Sequence, residues 1–244
     1  MDNLELMKQI DDNSIDLIYC DILYGTGKKF NDYQDLKPQK DIIEEFYIPR
    51  IKEMYRILKD TGSIYLHMDF RINHWVRFIM DDIFGYDNFQ NEIIWSYKTG
   101  GSSKRRWNRK HDNILFYSKR KDFNFNLQKE KSYNRGLKPY HYKGIKEYQD
   151  EIGWYTVVNC KDVWDINSLG NCNNERVDYD TQKPKALLEK IITASSNEND
   201  VVADFFCGSG TTLVVAKELG RQYIGCDINP KAIEITNNRL LEIN

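Results

Sequence analysis

Apolar positions along the chain follow two spacings that take turns. IDLIYCDI (15–22) is a short apolar run bounded by polar residues, which predicts a buried strand. QKDIIEEFYIPRIKEMYRILK (39–59) has apolar residues at helical spacing. Thr61-Gly62 then reads as a stop, followed by a second strand, TGSIYLHMD (61–69). FRINHWVRFIMDDIFG (70–85) predicts a helix ending at Gly85. EIIWSYK (92–98) and NILFYSK (113–119) predict two strands bracketing the loop TGGSSKRRWNRKHD. Periodicity then fades over 120–180, a stretch rich in Asn, Lys and Tyr. Order returns with a helix over 183–196, a strand over 200–206, a glycine turn into a helix over 208–220, a strand over 222–228 and a closing helix over 230–243. Strands alternating with helices predict an α/β sheet.

Composition narrows the class. The chain has 244 residues, 41% hydrophobic and 30% charged, enough for one sizeable core with an inserted subdomain. Mean hydropathy is −0.67, and no run of about 18 apolar residues is present, which argues against a membrane span. No charged-then-apolar leader follows Met1, so no secretory signal is expected. The cysteines, Cys20, Cys160, Cys172, Cys207 and Cys226, form no CxxC pair and are odd in number. They read as small buried hydrophobes in a reducing cytoplasm, with no disulfide framework. His67 and His74 lack partners at ligand spacing, so no metal site is expected.

The net charge of −2 hides a separation. Residues 98–146 hold 15 Lys and Arg against three acids, a net of +12 that leaves −14 for the rest. Aromatics, including Trp107, Tyr133 and Tyr140, are interleaved with these cations. Basic side chains meet phosphates and aromatics stack on bases, so a nucleic-acid partner fits. The alternative is a basic loop with a local aromatic core. Lys104, Arg105, Arg106, Arg109 and Lys110 are the candidate phosphate contacts.

DFFCGSGTTLVVAKELGRQYIGCDI (204–228) runs strand, Gly-x-Gly turn, helix, strand and terminal acid. Gly208 and Gly210 let backbone approach a ligand closely. Asp227, 17 residues past Gly210, can accept both hydroxyls of a ribose. No Gly-Lys-Ser/Thr follows, which excludes a phosphate-binding P-loop, and Thr211-Thr212 replaces the third glycine of a dinucleotide site.

Together DILY (21–24), the basic stretch, TQKP (181–184) and FCGSGTT (206–212) resemble the β-class amino-methyltransferases of DNA. The resemblance implies a Rossmann-like α/β methyltransferase fold with circularly permuted motif order. Residues 1–119 would be its catalytic half, 120–180 an inserted target-recognition region and 181–244 its cofactor half. It implies S-adenosyl-L-methionine held by Asp204, Phe206, Gly208, Ser209, Gly210, Thr211, Asp227 and Lys183, with Lys183 on the cofactor carboxylate. It further implies catalysis by Asp21, Ile22 and Tyr24. Asp21 and the Ile22 carbonyl would hold the two amine hydrogens of a flipped base, and Tyr24 would stack on it. The expected partners are double-stranded DNA, a restriction endonuclease and a second copy of the chain, in the cytoplasm. Asp21, where cytosine-amine members have Ser, favours adenine N6 as the acceptor. Asp69, at a strand end, is a further candidate for a cofactor or substrate role.

The chain departs from the family in three places. Ile22 and Leu23 replace the two prolines of Asp-Pro-Pro-Tyr, and Phe205 stands where the cofactor motif often has proline. No strand stands before the Asp2-Asn3 region, where one ordinarily does, so either the sheet lacks that strand or the chain begins late; if the strand is absent, a sheet edge would be exposed or covered by a partner. A working variant site is the reading adopted. A homologue that binds DNA without turnover, or an RNA methyltransferase, is the alternative.

Overall fold

The structure is a computed structural model describing residues 1–29, 34–98, 102–170, 173–177, 179 and 181–243; Cys172 lies outside these. Its elements, in chain order, are α1 (Asn3–Met7), β1 (Ile15–Asp21), α2 (Lys40–Ile57), β2 (Leu58–Met68), α3 (Asn73–Phe84), β3 (Phe89–Ser96), β4 (His111–Ser118), β5 (Lys129–Tyr133), β6 (Glu147–Gln149), β7 (Trp154–Asn159), β8 (Val163–Asp165), α4 (Lys185–Ser195), β9 (Val201–Asp204), α5 (Thr211–Glu218), β10 (Gln222–Gly225) and α6 (Pro230–Leu241).

Seven strands form one sheet in the order β10-β9-β1-β2-β4-β3-β8. β10, β9, β1 and β2 are parallel, β4 is antiparallel to both β2 and β3, and β8 is parallel to β3. Alternation along β1 sends Ile18 and Cys20 into the core under α2 and α3, and Leu17 and Tyr19 into the core under α4 and α5. β4 divides likewise, with Leu115 and Tyr117 on the first face and Ile114 and Phe116 on the second. Helices therefore cover both faces, and the central strands read as near-continuous apolar runs. β10 and β8 are the edge strands, and in β10 Gln222 and Tyr223 are exposed.

Thr61-Gly62 is no stop. β2 begins at Leu58 directly after α2, and its register with β1 slips from Ile15↔Leu58 to Leu17↔Ser63. The extra residues are a bulge within the strand. Glycine is required there because a Cβ at Gly62 would lie 2.7 Å from Leu58 Cδ1 and 2.9 Å from the Asp16 carbonyl oxygen. Helix α1 is too short to show a period; Asp2 caps it by accepting the Leu4 N–H at 2.8 Å.

Residues 126–161 form a second compact unit, narrower than the 120–180 region of weak periodicity. Within it β5, β7 and β6 make an antiparallel sheet, and Tyr148 stacks on Tyr155 with ring centres 5.6 Å apart. β8 and the residues that follow belong with the main sheet.

One topological feature positions the site. β1 and β9 are parallel neighbours, yet β1 leads to α2 on one face of the sheet and β9 to α5 on the other. The loops diverge at the carboxyl ends of the two strands and open a crevice there.

Candidate functional site

The crevice is a cavity of about 620 Å³ whose wall includes Asp21, Ile22, Tyr24, Lys183, Asp204, Phe206, Gly208, Ser209, Thr211 and Asp227. Both candidate motifs thus face one space. Gly210 lies behind the wall with φ of +76°, opening α5. The five cations of the basic loop line no part of this cavity; they precede β4, with Lys104, Arg105, Arg106 and Arg109 exposed and Lys110 half-buried. Asp69 does not face the cavity. It is buried and paired with Arg71, whose N–H it also accepts at 2.9 Å.

The loop after β1 is stiff without prolines. The Ile22 N–H donates to the His67 carbonyl at 3.1 Å, extending the β1–β2 ladder by one bond. The buried Tyr47 hydroxyl donates to the Leu23 carbonyl at 2.9 Å. Asp35, 3% exposed, accepts from the N–H groups of Gly25 (3.1 Å), Thr26 (2.7 Å) and Leu36 (2.8 Å) and from the Thr26 hydroxyl. Gly25 has φ of +65°, and a Cβ there would meet Ile72 Cγ2 at 2.7 Å. What proline would supply through a fixed φ is supplied here by hydrogen bonds from three directions.

Asp21 closes β1 inside a polar cluster. The Tyr24 hydroxyl donates to Asp21 Oδ1 at 2.8 Å, and Lys183 Nζ pairs with Asp21 Oδ2. Lys183, anticipated on the cofactor carboxylate, thus lies against the catalytic candidate in the cavity wall. Behind them lies His67, fully buried, with Nδ1 2.8 Å from the Tyr19 hydroxyl and Nε2 3.4 Å from Asp112 Oδ2, at ion-pair distance but outside hydrogen-bond geometry. Burial and then the Asp21 charge push both the Tyr19 and Tyr24 hydroxyls well above the usual phenol range, so both stay protonated donors. The Tyr19 hydroxyl and His67 Nδ1 share one hydrogen bond, whose direction follows the ring tautomer. Asp112 is held below the usual carboxylate range: burial opposes ionisation, and the His67 ring, Lys183 and the Tyr97 hydroxyl outweigh it. Tyr97 donates to Asp112 Oδ1 at 3.1 Å, and the Tyr24 hydroxyl lies 3.4 Å from Asp112 Oδ2. Asp112 was not evident from spacing. It enters the site because β4 runs antiparallel to β2, so the start of β4 meets the end of β2 (Asn113↔Met68).

The glycine turn is closed from below. Gly208 N–H and Asn229 N–H donate to the two oxygens of Asp227 at 3.0 and 2.8 Å. The Thr236 hydroxyl donates to the Gly208 carbonyl at 3.1 Å, and the buried Arg239 donates to the Ser209 carbonyl at 2.6 Å. Two observations fit this turn to a bound nucleoside. A Cβ at Gly208 would approach Tyr179 to 3.1 Å, filling the cradle, and Asn229 Nδ2, in the cavity wall, is buried with no partner among the described residues.

Asp204 ends β9, 2% exposed, accepting from the Thr212 hydroxyl at 2.6 Å and the Phe206 N–H at 3.0 Å. Burial lifts its carboxyl to about 7 despite these donors. The folded state thus holds this proton more tightly than the unfolded chain. The associated stability is present below the ordinary carboxylate range and is lost as pH climbs through about 7. Wild type should therefore lose melting temperature relative to Asp204→Asn as pH rises from about 5 to about 8. Parallel melting profiles of the two proteins would clear Asp204 of this role.

Residues 15–238 match the N6/N4 methyltransferase family described as DNA methylase. The Type II methyltransferase M.HpaI of Haemophilus parainfluenzae is 35% identical over 239 residues, covering 97% of this chain and 71% of that protein. The DNA adenine methyltransferase YhdJ of Escherichia coli (strain K12) is 31% identical over 246 residues, covering 98% of this chain and 80% of that protein. Among solved structures, the fold is shared with the M1.HpyAVI–SAM complex at a TM-score of 0.61 and 21% identity, over 98% of this chain and 97% of that one. The matched span takes in both DILY and FCGSGTT, the two motifs that share the cavity, and the chain belongs to the N6/N4 family of S-adenosylmethionine-dependent DNA methyltransferases.

Proposed function

We propose that the chain methylates the exocyclic N6 of an adenine withdrawn from duplex DNA. The observation that carries this reading is the shared cavity, in which Asp21 and Tyr24 face the glycine turn. Asp21 accepts one amine hydrogen and the Ile22 carbonyl the other, which weakens conjugation of the nitrogen lone pair with the ring. The Tyr24 ring stacks on the base. S-adenosylmethionine supplies an electrophilic methyl group on a sulfonium. Asp227 accepts its ribose hydroxyls, and the turn at 208–210 lets backbone come close. Without substrate, Asp21 is engaged by Tyr24 and Lys183. Tyr24 can hand its hydrogen bond to Asp112, already 3.4 Å away, and Lys183 must swing off to leave Asp21 for the amine.

Adenine is supported by the Asp at the head of the motif and by the relative named as an adenine methyltransferase. Nucleoside analysis of DNA treated with the protein and cofactor should return N6-methyldeoxyadenosine; N4-methyldeoxycytidine would move the acceptor to cytosine. We read the unit at 126–161 as the target-recognition region. Type II relatives support a restriction–modification setting, with an endonuclease of matching specificity as partner.

The basic loop is read as the phosphate grip. Lys104, Arg105 and Arg106 are exposed, whereas the Arg109 guanidinium lies 3.4 Å over the Phe70 ring. Reversing the first three to Glu should weaken DNA binding and flatten its log–log salt dependence by about 0.9 per lost phosphate contact. Cofactor affinity should not change. A slope equal to that of wild type would take these three off the DNA.

A further inference from the structure

The most exposed large apolar side chain among the described residues is Trp107, at 95%. Tryptophan carries one of the largest apolar surfaces of any side chain, and folding normally hides most of it. A lone exposed apolar residue is unremarkable. The setting of this one is not ordinary, since Lys104, Arg105 and Arg106 precede it and Arg109 and Lys110 follow it.

The loop also presents Trp107 in a fixed way. Ser103 N–H donates to Asn108 Oδ1 at 2.7 Å, and Arg105 N–H to the Ser103 hydroxyl at 3.3 Å, which folds 103–108 back on itself. Arg109 is stacked on Phe70, and Tyr97 N–H donates to the Lys110 carbonyl at 2.9 Å, tying the returning arm to the main sheet. Trp107 precedes Asp112 by five residues, and the Asp112 carboxylate is 3.4 Å from the Tyr24 hydroxyl. Five residues span at most about 17 Å, so the Trp107 Cα can be no further than that from the Asp112 backbone beside the base pocket.

We propose that Trp107 is a wedge that enters the base stack of duplex DNA and fills the gap left by the withdrawn base. The inference rests on the proposed function above. Withdrawal costs unstacking and unpairing, and apolar side chains inserted at a base step repay it. An indole can stack on the bases flanking the gap whatever their identity, because every base has a π-face. The neighbouring cations hold the phosphates on either side, so one loop both grips the duplex and opens it.

The test uses a duplex containing the sequence that wild type methylates in plasmid DNA, with the target either correctly paired or mispaired. A second version carries 2-aminopurine at the target. Trp107→Ala should lower kcat/KM on the paired duplex by about 10–100-fold, the scale of one lost base–aromatic stack, and suppress the rise in 2-aminopurine fluorescence. Mispairing the target should restore most of the activity, since the base then leaves the stack at little cost. Trp107→Phe should keep most of both signals, and cofactor affinity should be unchanged in both variants. Unaltered activity of Trp107→Ala, or an equal loss on paired and mispaired duplexes, would overturn the wedge while leaving the methyltransferase reading intact. A wild type that methylates no duplex would overturn both.

Discussion

Asp21→Asn should lower methyl transfer to DNA by about 10²–10³-fold while cofactor affinity stays within about twofold, the usual cost of removing one preorganised polar group from a reaction centre. Asparagine keeps the shape but loses the charge that draws density toward the attacking nitrogen, and half of its head is a donor facing an amine. It is the better variant than alanine. Lys183 is mostly buried and paired with Asp21, so alanine would strand that cation and mix a folding defect with a catalytic one. Two companions separate backbone from side chain at the unusual positions of the motif. Ile22→Pro deletes the N–H that bonds to His67, at about 1 kcal/mol of stability, whereas Leu23→Pro removes an N–H that has no partner among the described residues. Leu23→Pro should therefore retain the greater activity. An Asp21→Asn protein with full turnover would mean the amine is held elsewhere.

Gly210→Ala should be the most damaging single-methyl change in the cofactor half. Gly210 has φ of +76°, and a Cβ there would lie 2.5 Å from both Cγ2 and Oγ1 of Thr236 and 2.8 Å from its Cβ. Left-handed backbone costs an L-residue about 1–2 kcal/mol, and overpacking a tight contact about 1–3 kcal/mol more. Thr236 cannot yield freely, because its hydroxyl holds the Gly208 carbonyl. The strain therefore passes into the turn that faces the cavity and is proposed to hold the cofactor. The expected result is a melting temperature well below wild type together with weakened S-adenosylmethionine binding by calorimetry. Adding Thr236→Ala should recover part of the stability by removing the two nearest atoms, but not the cost of the left-handed backbone. A Gly210→Ala protein that melts and binds like wild type would show that the turn has another conformation in solution.

The parts of this molecule that were legible in the sequence are those with a short-range physical signature. Short apolar runs and helical spacing marked the strands and helices of the main sheet, and the Gly-x-Gly turn announced itself through strand, glycine and distal acid in register. The misread element was Thr61-Gly62, where a glycine needed for close packing in a bulge looked like a terminator. The sheet at 126–161 was not evident because its strands are half-buried at most and carry polar residues on both faces, so no alternation shows. Long-range partners were the other gap. Asp112 meets Tyr24 across 88 positions and Tyr47 meets Leu23 across 24, and no local pattern encodes either meeting. Those partners explain how DILY keeps a defined loop without prolines.

The most direct test of the central claim is a count of methyl groups transferred from labelled S-adenosylmethionine to unmethylated duplex DNA, with Asp21→Asn run beside wild type. The structure predicts many transfers per wild-type chain and a count near background for the variant, with both proteins binding the cofactor alike. Wild type that binds cofactor and DNA yet transfers no methyl would contradict it, and would make the cavity at Asp21 a relic that holds ligands without turnover.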